Sequence, residues 1–277
     1  MKETRAEYLP IQKLRPFEGH PFKVTDNEEM DQLVWSVLTQ GLLTPLVVRP
    51  LPNGEYEVVS GHRRLHACKK AGIETVPALI YAIDRDAAAI ALVDSNLQRE
   101  HILPSEKAFA YKLKLEAMNH QGRTSGQVGQ KWTREEISDS DSGRQVQRYI
   151  RLTELIPEIL RMVDDGRIAL TPAVELSYLT QWEQRTLCNI MQMDGATPSL
   201  SQAQRMRRMS EERRLGEGDM EDIMAEIKGN QVECIRITEE RFRKHFRRDV
   251  SPLEMAEIID KALEYYQRYL DRQRDER

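Results

Sequence analysis

The sequence predicts a three-part chain. A small mixed α/β domain covers residues 1–103, an all-α region with a helix-turn-helix covers 104–215, and a small, mostly α tail covers 216–277. Three observations carry this reading. β-rich runs alternate with helical stripes up to residue 103. Convincing strands almost disappear from Pro104 onward. Gly216-Glu217-Gly218 then reads as a linker ahead of a closing apolar stripe.

Each element has its own signal. Met30, Leu33, Val34, Val37 and Leu38 form one stripe from Glu28 to Gln40, with Gly41 as a C-terminal stop. Leu46-Val47-Val48-Arg49 and Tyr56-Glu57-Val58-Val59 are strands, joined by the hairpin chemistry of Pro52-Asn53-Gly54. Gly61 to Ala71 and Asp84 to Leu97 are helices, and Thr75 to Tyr81 is a third strand between them. Pro104 opens a long helix to Met118, and the polar stretch from His120 to Gly129 reads as a loop. Thr133 and Glu136 have capping-box spacing, and Asp139 to Gly143 is a turn. Further helices run from Arg144 to Leu155, from Pro157 to near Gly166, and from the starts at Thr171 and Ser201. The tail carries a β-like piece from Val232 to Ile237 and a helix striped by Met255, Ile258, Ile259, Ala262, Leu263, Tyr266 and Leu270.

Composition excludes several classes. Cys68, Cys188 and Cys234 are too far apart for a disulfide scaffold or a cysteine-based zinc finger. No apolar run is long enough to span a membrane, and the N-terminus lacks a signal-peptide core. A cytoplasmic setting is expected. The 277 residues sum to a formal charge of −4, from 41 Lys+Arg and 45 Asp+Glu. That total argues against nucleic acid, but a binding face needs local charge.

Two constellations carry chemistry. In the first, Val58-Val59-Ser60-Gly61-His62-Arg63-Arg64 runs from a strand into a helix. A helix N-terminus offers unpaired N–H groups and the positive end of a dipole. Gly61 permits close approach of the backbone, Ser60 offers a hydroxyl, and Arg63 and Arg64 can bind phosphate oxygens. His62 and His66 are four apart, a spacing that can suit a metal, although no third ligand is evident. In the second constellation, Thr133–Ile137, the following turn and Arg144–Leu155 read as a helix-turn-helix. The recognition helix would present Ser142, Arg144, Gln145, Gln147, Arg148 and Arg151, where Arg can pair with guanine and Gln with adenine. Val146, Tyr149 and Ile150 face the core. From Arg144 to Arg151 the local charge is +3.

The order of the segments is specific. Ser60-Gly61-His62-Arg63-Arg64-Leu65-His66-Ala67 is followed by Ser95-Asn96-Leu97-Gln98-Arg99-Glu100 and then by Leu103-Pro104-Ser105-Glu106-Lys107-Ala108. This order resembles the ParB family of plasmid and chromosome partition proteins. Gly41 to Arg49 matches that family's first box, and Gln145 to Leu152 resembles its recognition helix. The resemblance spans roughly Tyr8 to Leu179. It implies a ParB/sulfiredoxin-like N-terminal fold that binds CTP with Mg and closes a homodimer into a clamp sliding on double-stranded DNA.

Position by position, the resemblance implies that Ser60, Gly61, Arg63 and Arg64 hold the triphosphate. Thr44 and Pro45 would lie beside the nucleotide. Asn96 and Arg99 would form the second phosphate and metal-side motif, with Asn96 as the metal contact. Phe22-Lys23 occupies the place of an earlier polar box.

The chain also departs from the family. His62 stands where Glu is usual. Ser95 replaces the Glu that assists metal binding and hydrolysis, and a serine cannot serve as a general base near neutral pH. The helical directions of Asp94 and Glu100 differ from that of Ser95 by about a third of a turn or more. No catalytic residue is therefore assigned, and at most a weak CTPase is expected. Sulfiredoxins carry Gly-Cys-His-Arg, whereas this chain has Ser60-Gly61-His62-Arg63.

The expected function is sequence-specific DNA binding in plasmid, mobile-element or chromosome segregation, close to the nucleoid or plasmid. The closing stripe would form a dimer seam. A ParA-type ATPase is an implied partner, although only Met1 to Glu7 precede the first expected strand. The alternatives are a nucleotide-dependent phosphotransferase or hydrolase on the same fold, and a ParB-like transcription regulator or nucleoid-occlusion-type protein. Arg205, Arg207, Arg208, Arg213 and Arg214, and a second group of Arg241, Arg243, Lys244, Arg247 and Arg248, are further candidate phosphate contacts.

Overall fold

The structure is a computed structural model and describes residues 4–99, 101–124, 141–226 and 252–275. The chain divides into two compact units, Met1–Glu226 and Ile227–Arg277.

The first unit opens with a five-stranded mixed sheet. Its strands are β1 (Thr4–Pro10), β2 (Leu14–Pro16), β3 (Leu46–Pro50), β4 (Tyr56–Ser60) and β5 (Thr75–Tyr81), in the order β1-β5-β3-β4-β2. β1–β5 and β3–β4 are antiparallel, while β3–β5 and β2–β4 are parallel. Helices α1 (Glu28–Gln40), α2 (His62–Lys70) and α3 (Arg85–Leu97) complete the α/β part. The Asn27 side chain caps α1 by accepting from the Met30 N–H, and the Asp84 side chain caps α3 through Ala87. Leu14, Met30, Leu46, Val48, Val58, Cys68 and Val76 form the core between sheet and helices. Leu38, placed on the α1 stripe by its spacing, is exposed instead. The first strand, expected after Glu7, begins by Thr4.

The helical part holds α4 (Pro104–Thr124), α5 (Gly143–Arg151), α6 (Pro157–Asp164), α7 (Leu170–Leu176), α8 (Gln181–Asp194), α9 (Leu200–Glu211) and α10 (Glu217–Ala225). A large apolar cluster binds α6 to α10 together, with Ile159, Leu176, Leu187, Met191 and Met206 fully buried. Reciprocal capping boxes at Thr180/Glu183 and Ser199/Gln202 start α8 and α9.

Two sequence expectations are corrected. Helix α4 continues to Thr124, so His120 to Thr124 are not loop. Gly216-Glu217-Gly218 is not a linker. Gly216 donates its N–H to Asp219, and Met220, Ile223 and Met224 of α10 pack into the helical core. Burying those three side chains outweighs the helix cost of one glycine, about 1 kcal/mol.

The second unit shows α11 (Pro252–Asp275), the expected closing helix. Within it Met255 is buried, while Ile258, Leu263, Tyr265 and Tyr266 are exposed. The helix expected at Thr133–Ile137, the Asp139-Ser140 part of the turn, the β-like piece Val232–Ile237, Cys234 and the basic group Arg241–Arg248 lie outside the described residues.

Candidate functional site

A cleft of about 180 Å³ opens where β4 meets α2. Its lining comes from the loop before α1 (His20, Phe22, Lys23, Val24), the β4–α2 junction (Ser60 to Arg63) and the end of α3 (Ser95, Asn96, Arg99). Ser60, Gly61, Arg63, Asn96 and Arg99 are thus brought together as the sequence suggested. Arg64, Thr44 and Pro45 are not part of the lining.

Gly61 makes the junction possible. Its φ is +104°, and an added Cβ would lie 2.7 Å from Leu46 Cδ2. Only glycine accepts both conditions without a shift. No side chain caps α2, and the first helical bond is Leu65 N–H to the Gly61 carbonyl at 2.8 Å. The first-turn N–H groups therefore remain available to an anion.

Arg64 has a different task from the one its position implied. Its guanidinium donates to the carbonyl oxygens of Thr44 at 2.7 Å and Pro45 at 2.8 Å. It therefore fixes the Thr44-Pro45 segment against α2. Burial lowers its pKa. Arg63 rests on Glu29 at 2.9 Å, an exposed pair that is easily exchanged.

The loop over the cleft is tied down by contacts that sequence reasoning missed. Phe17 N–H donates to His62 Nε2 at 3.3 Å, and the His62 ring also bonds the Val58 backbone. His62 therefore accepts with one nitrogen and donates with the other. The His20 ring lies against that of His62, 3.7 Å between centroids and tilted by 40°. Burial, assisted by His20, lowers the His62 pKa to about 3, so the ring is neutral near pH 7. Burial also lowers His20, and the Arg99 charge acts in the same sense. His66 points elsewhere, pairing with Asp26 at 3.0 Å, so His62 and His66 do not converge on a metal.

Lys23 joins the cleft to the helical part. Its N–H donates to Glu106 at 2.8 Å, and its Nζ lies 3.4 Å from Asp164. Asp164 also accepts from the Ser105 N–H at 2.9 Å and from the Ser105 hydroxyl at 2.6 Å.

The donor set does not fit Mg. Asn96, the implied metal contact, donates through Nδ2 to the Leu92 carbonyl at 2.8 Å, and its Oδ1 faces Arg99 at 3.5 Å. Ser95 donates to the same Leu92 carbonyl. Asp94 is engaged by Lys114 at 2.5 Å. Among the described residues, no group of three or more His, Cys, Asp or Glu could hold a metal ion.

The second candidate surface is α5. Ser142 caps it by accepting from Gln145 N–H at 3.4 Å. The preceding Asp141 is anchored to α4, accepting from Tyr111 Oη at 2.5 Å and Lys107 Nζ at 3.0 Å. Burial alone would raise the Asp141 pKa, but these two partners hold it below the usual carboxylate value. Val146 is fully buried, and Tyr149 and Ile150 pack beside Tyr111 and Met118, as their spacing predicted. Arg144 and Gln147 are exposed, and Gln145 is half-buried. Arg148 donates to the Thr171 hydroxyl of α7.

Arg151 is turned inward. It donates to Ser177 Oγ at 3.2 Å and the Ser177 carbonyl at 2.9 Å, and its guanidinium sits 4.1 Å from the Tyr178 ring centroid. Arg207 covers the same ring at 3.6 Å. Within the basic cluster on and just after α9, Arg207 pairs with Glu175 and Glu211, Arg205 with Glu226, and Arg214 with Glu212. Among the described residues, no helix is long and apolar enough to cross a membrane.

Residues 1–97 match the family model described as ParB N-terminal domain. The chain is 37% identical over 113 residues to the nucleoid occlusion protein of Geobacillus kaustophilus, covering 40% of each chain. It is also 37% identical over 161 residues to the chromosome-partitioning protein Spo0J of Thermus thermophilus, covering 58% of this chain and 55% of that one. The match thus spans about half or less of these relatives' lengths. Among solved structures, the C-terminally truncated chromosome-partitioning protein ParB from Caulobacter crescentus appears twice. The form complexed to the centromeric parS site matches at 25% identity with a TM-score of 0.44, covering 73% of this chain and 98% of that one. The form complexed with CTP-gamma-S matches at 26% identity with a TM-score of 0.33, covering 67% and 97%. Residues 1–97 thus belong to the ParB N-terminal domain family, in a chain similar to relatives named for chromosome partitioning and nucleoid occlusion.

Proposed function

We propose that the chain is a sequence-specific double-stranded DNA-binding protein of the partition type, with a cleft that takes CTP and makes it a nucleotide-responsive clamp. One observation carries this reading. The uncapped N-terminus of α2 opens between Lys23, Arg63 and Arg99, within the same compact unit as the arginine-bearing helix α5. In this reading the α2 N–H groups, Ser60, Arg63 and Arg99 bind the phosphates. Arg64 holds Thr44 and Pro45 in place beside the nucleotide.

Arg144, Gln145, Gln147 and Arg148 read the major groove, Ser142 starts the helix that carries them, and Arg151 sets its distance from α7. The exposed side of α11, with Ile258, Leu263 and Tyr266, supplies the homodimer seam. The setting is the cytoplasm, on the nucleoid or a plasmid, with a ParA-type ATPase as partner. The enzyme alternative is disfavoured, because the described lining of the cleft contains no carboxylate to act as a general base. The relatives' names support both partition and nucleoid occlusion.

The test is to sequence genomic fragments retained by the purified protein with and without CTP. A shared sequence motif whose flanking occupancy spreads when CTP is added supports the reading. Retention without any motif overturns it.

A further inference from the structure

We propose that this cleft binds its triphosphate without a divalent cation, neutralising it with the chain's own cations, and holds it unhydrolysed. The inference rests on the nucleotide reading above and concerns the same site.

The argument starts from what Mg²⁺ requires. It is held octahedrally by oxygen donors, usually one or two protein carboxylates together with substrate phosphates and water. The described lining supplies no carboxylate and three cations, Lys23, Arg63 and Arg99. The α2 N-terminus adds a positive end worth about half a charge.

Five described carboxylates around the cleft already serve a cation or an N–H group. Asp94 binds Lys114, Glu29 binds Arg63, and Asp164 binds Lys23 and Ser105. Glu106 accepts from the N–H groups of Lys23 and Leu103, and Glu57 is held by Arg49. The two neutral oxygens at the metal side are also engaged. Ser95 Oγ donates to the Leu92 carbonyl, and Asn96 Oδ1 faces the Arg99 guanidinium. A cation placed beside Asn96 would meet Arg99, whereas a phosphate oxygen there would gain it as a donor. Glu100 lies outside the described residues, and the experiment reads whatever it contributes.

The test is calorimetric titration of the full chain with CTP and, separately, with inorganic tripolyphosphate, each in excess EDTA and in excess Mg²⁺. The expected dissociation constants agree within about threefold between the two conditions, and no inorganic phosphate is released from CTP. Binding about tenfold or more weaker in EDTA, or phosphate release with Mg²⁺, overturns the proposal while leaving the cleft reading intact. Binding of neither probe in either condition overturns the cleft reading itself. Ser95→Glu supplies the missing carboxylate at an exposed position. Its binding should weaken in EDTA and recover with Mg²⁺, and a Ser95→Glu chain insensitive to both overturns the inference.

Discussion

The Arg64 guanidinium sits 2.7 Å from the Thr44 carbonyl oxygen and 2.8 Å from that of Pro45. It therefore joins two segments that the sequence assigns separately to the nucleotide. Both bonds are charge-assisted, the one to Pro45 partly buried and the one to Thr44 exposed, so the Pro45 carbonyl depends most on this side chain. Arg64→Ala should cost about 1.5–3 kcal/mol, because two oxygens lose their donor together. The thermal midpoint should fall by roughly 3–10 °C for a unit of this size. Arg64→Lys should recover only part of this, since an ammonium lacks the guanidinium fork. Equal stability of the Ala variant and the parent in a melting series would contradict the bracing role.

Gly61→Ala tests the same junction from the backbone side. The new Cβ must occupy φ +104° and lie 2.7 Å from Leu46 Cδ2, and Leu46 is fully buried. Neither the strain nor the overlap can be relieved by a surface movement. The expected loss is about 2–4 kcal/mol, combining backbone strain with overpacking. Denaturant midpoints measure it. Binding of CTP should fall in parallel, because α2 can no longer start at the cleft.

These two sites show which parts of the molecule are legible in sequence. Ser60 to Arg64 can be recognised because a β run, a glycine and a basic helix start are adjacent in the chain. The caps of α1 and α3 are equally local. The loop over the cleft is not local. Phe17 reaches His62 across 45 residues, Lys23 reaches Glu106 across 83, and Lys23 reaches Asp164 across 141. No periodicity encodes such pairs, so His20 and His62 could not be recognised as a ring pair. Arg151 shows the opposite error. Its place on α5 suggested exposure, but its long stem carries the guanidinium back to Ser177 and Tyr178.

The buried histidine pair makes stability depend on pH. The folded-state pKa of His62 is about 3, below its ordinary value of 6.5, because burial and His20 disfavour the charged ring. A depressed histidine takes up its proton in the unfolded chain first. Stability is therefore complete above about pH 6.5 and is lost as pH falls from there toward 3, with a slope approaching about 1.4 kcal/mol per pH unit. Denaturant midpoints measured from pH 7.5 down to 4.5 should follow this course. His62→Gln, which keeps hydrogen-bonding capacity without titrating, should flatten the curve. An unchanged slope in that variant would assign the acid sensitivity to other groups.

On α5 the side chains divide by what already holds them, and that division predicts their roles on DNA. Arg144 is exposed, whereas Arg148 is oriented by the Thr171 hydroxyl. A side chain oriented in advance loses less entropy on reaching a base edge, which suits Arg148 to reading sequence. Arg148→Ala should cost about 1–3 kcal/mol on the specific site and far less on random duplex. Thr171→Val should cost part of the same specificity without removing any group that touches DNA. Arg144→Ala, if Arg144 meets phosphate, should weaken both kinds of DNA alike and reduce the salt slope by about 1. Arg151→Ala should mainly lower stability, because its donors serve Ser177 within the fold. Titrations of each variant against specific and scrambled duplexes at several salt concentrations separate these outcomes. Equal losses on both duplexes for Arg148→Ala would make Arg148 a backbone contact and move sequence reading to Gln145 and Gln147.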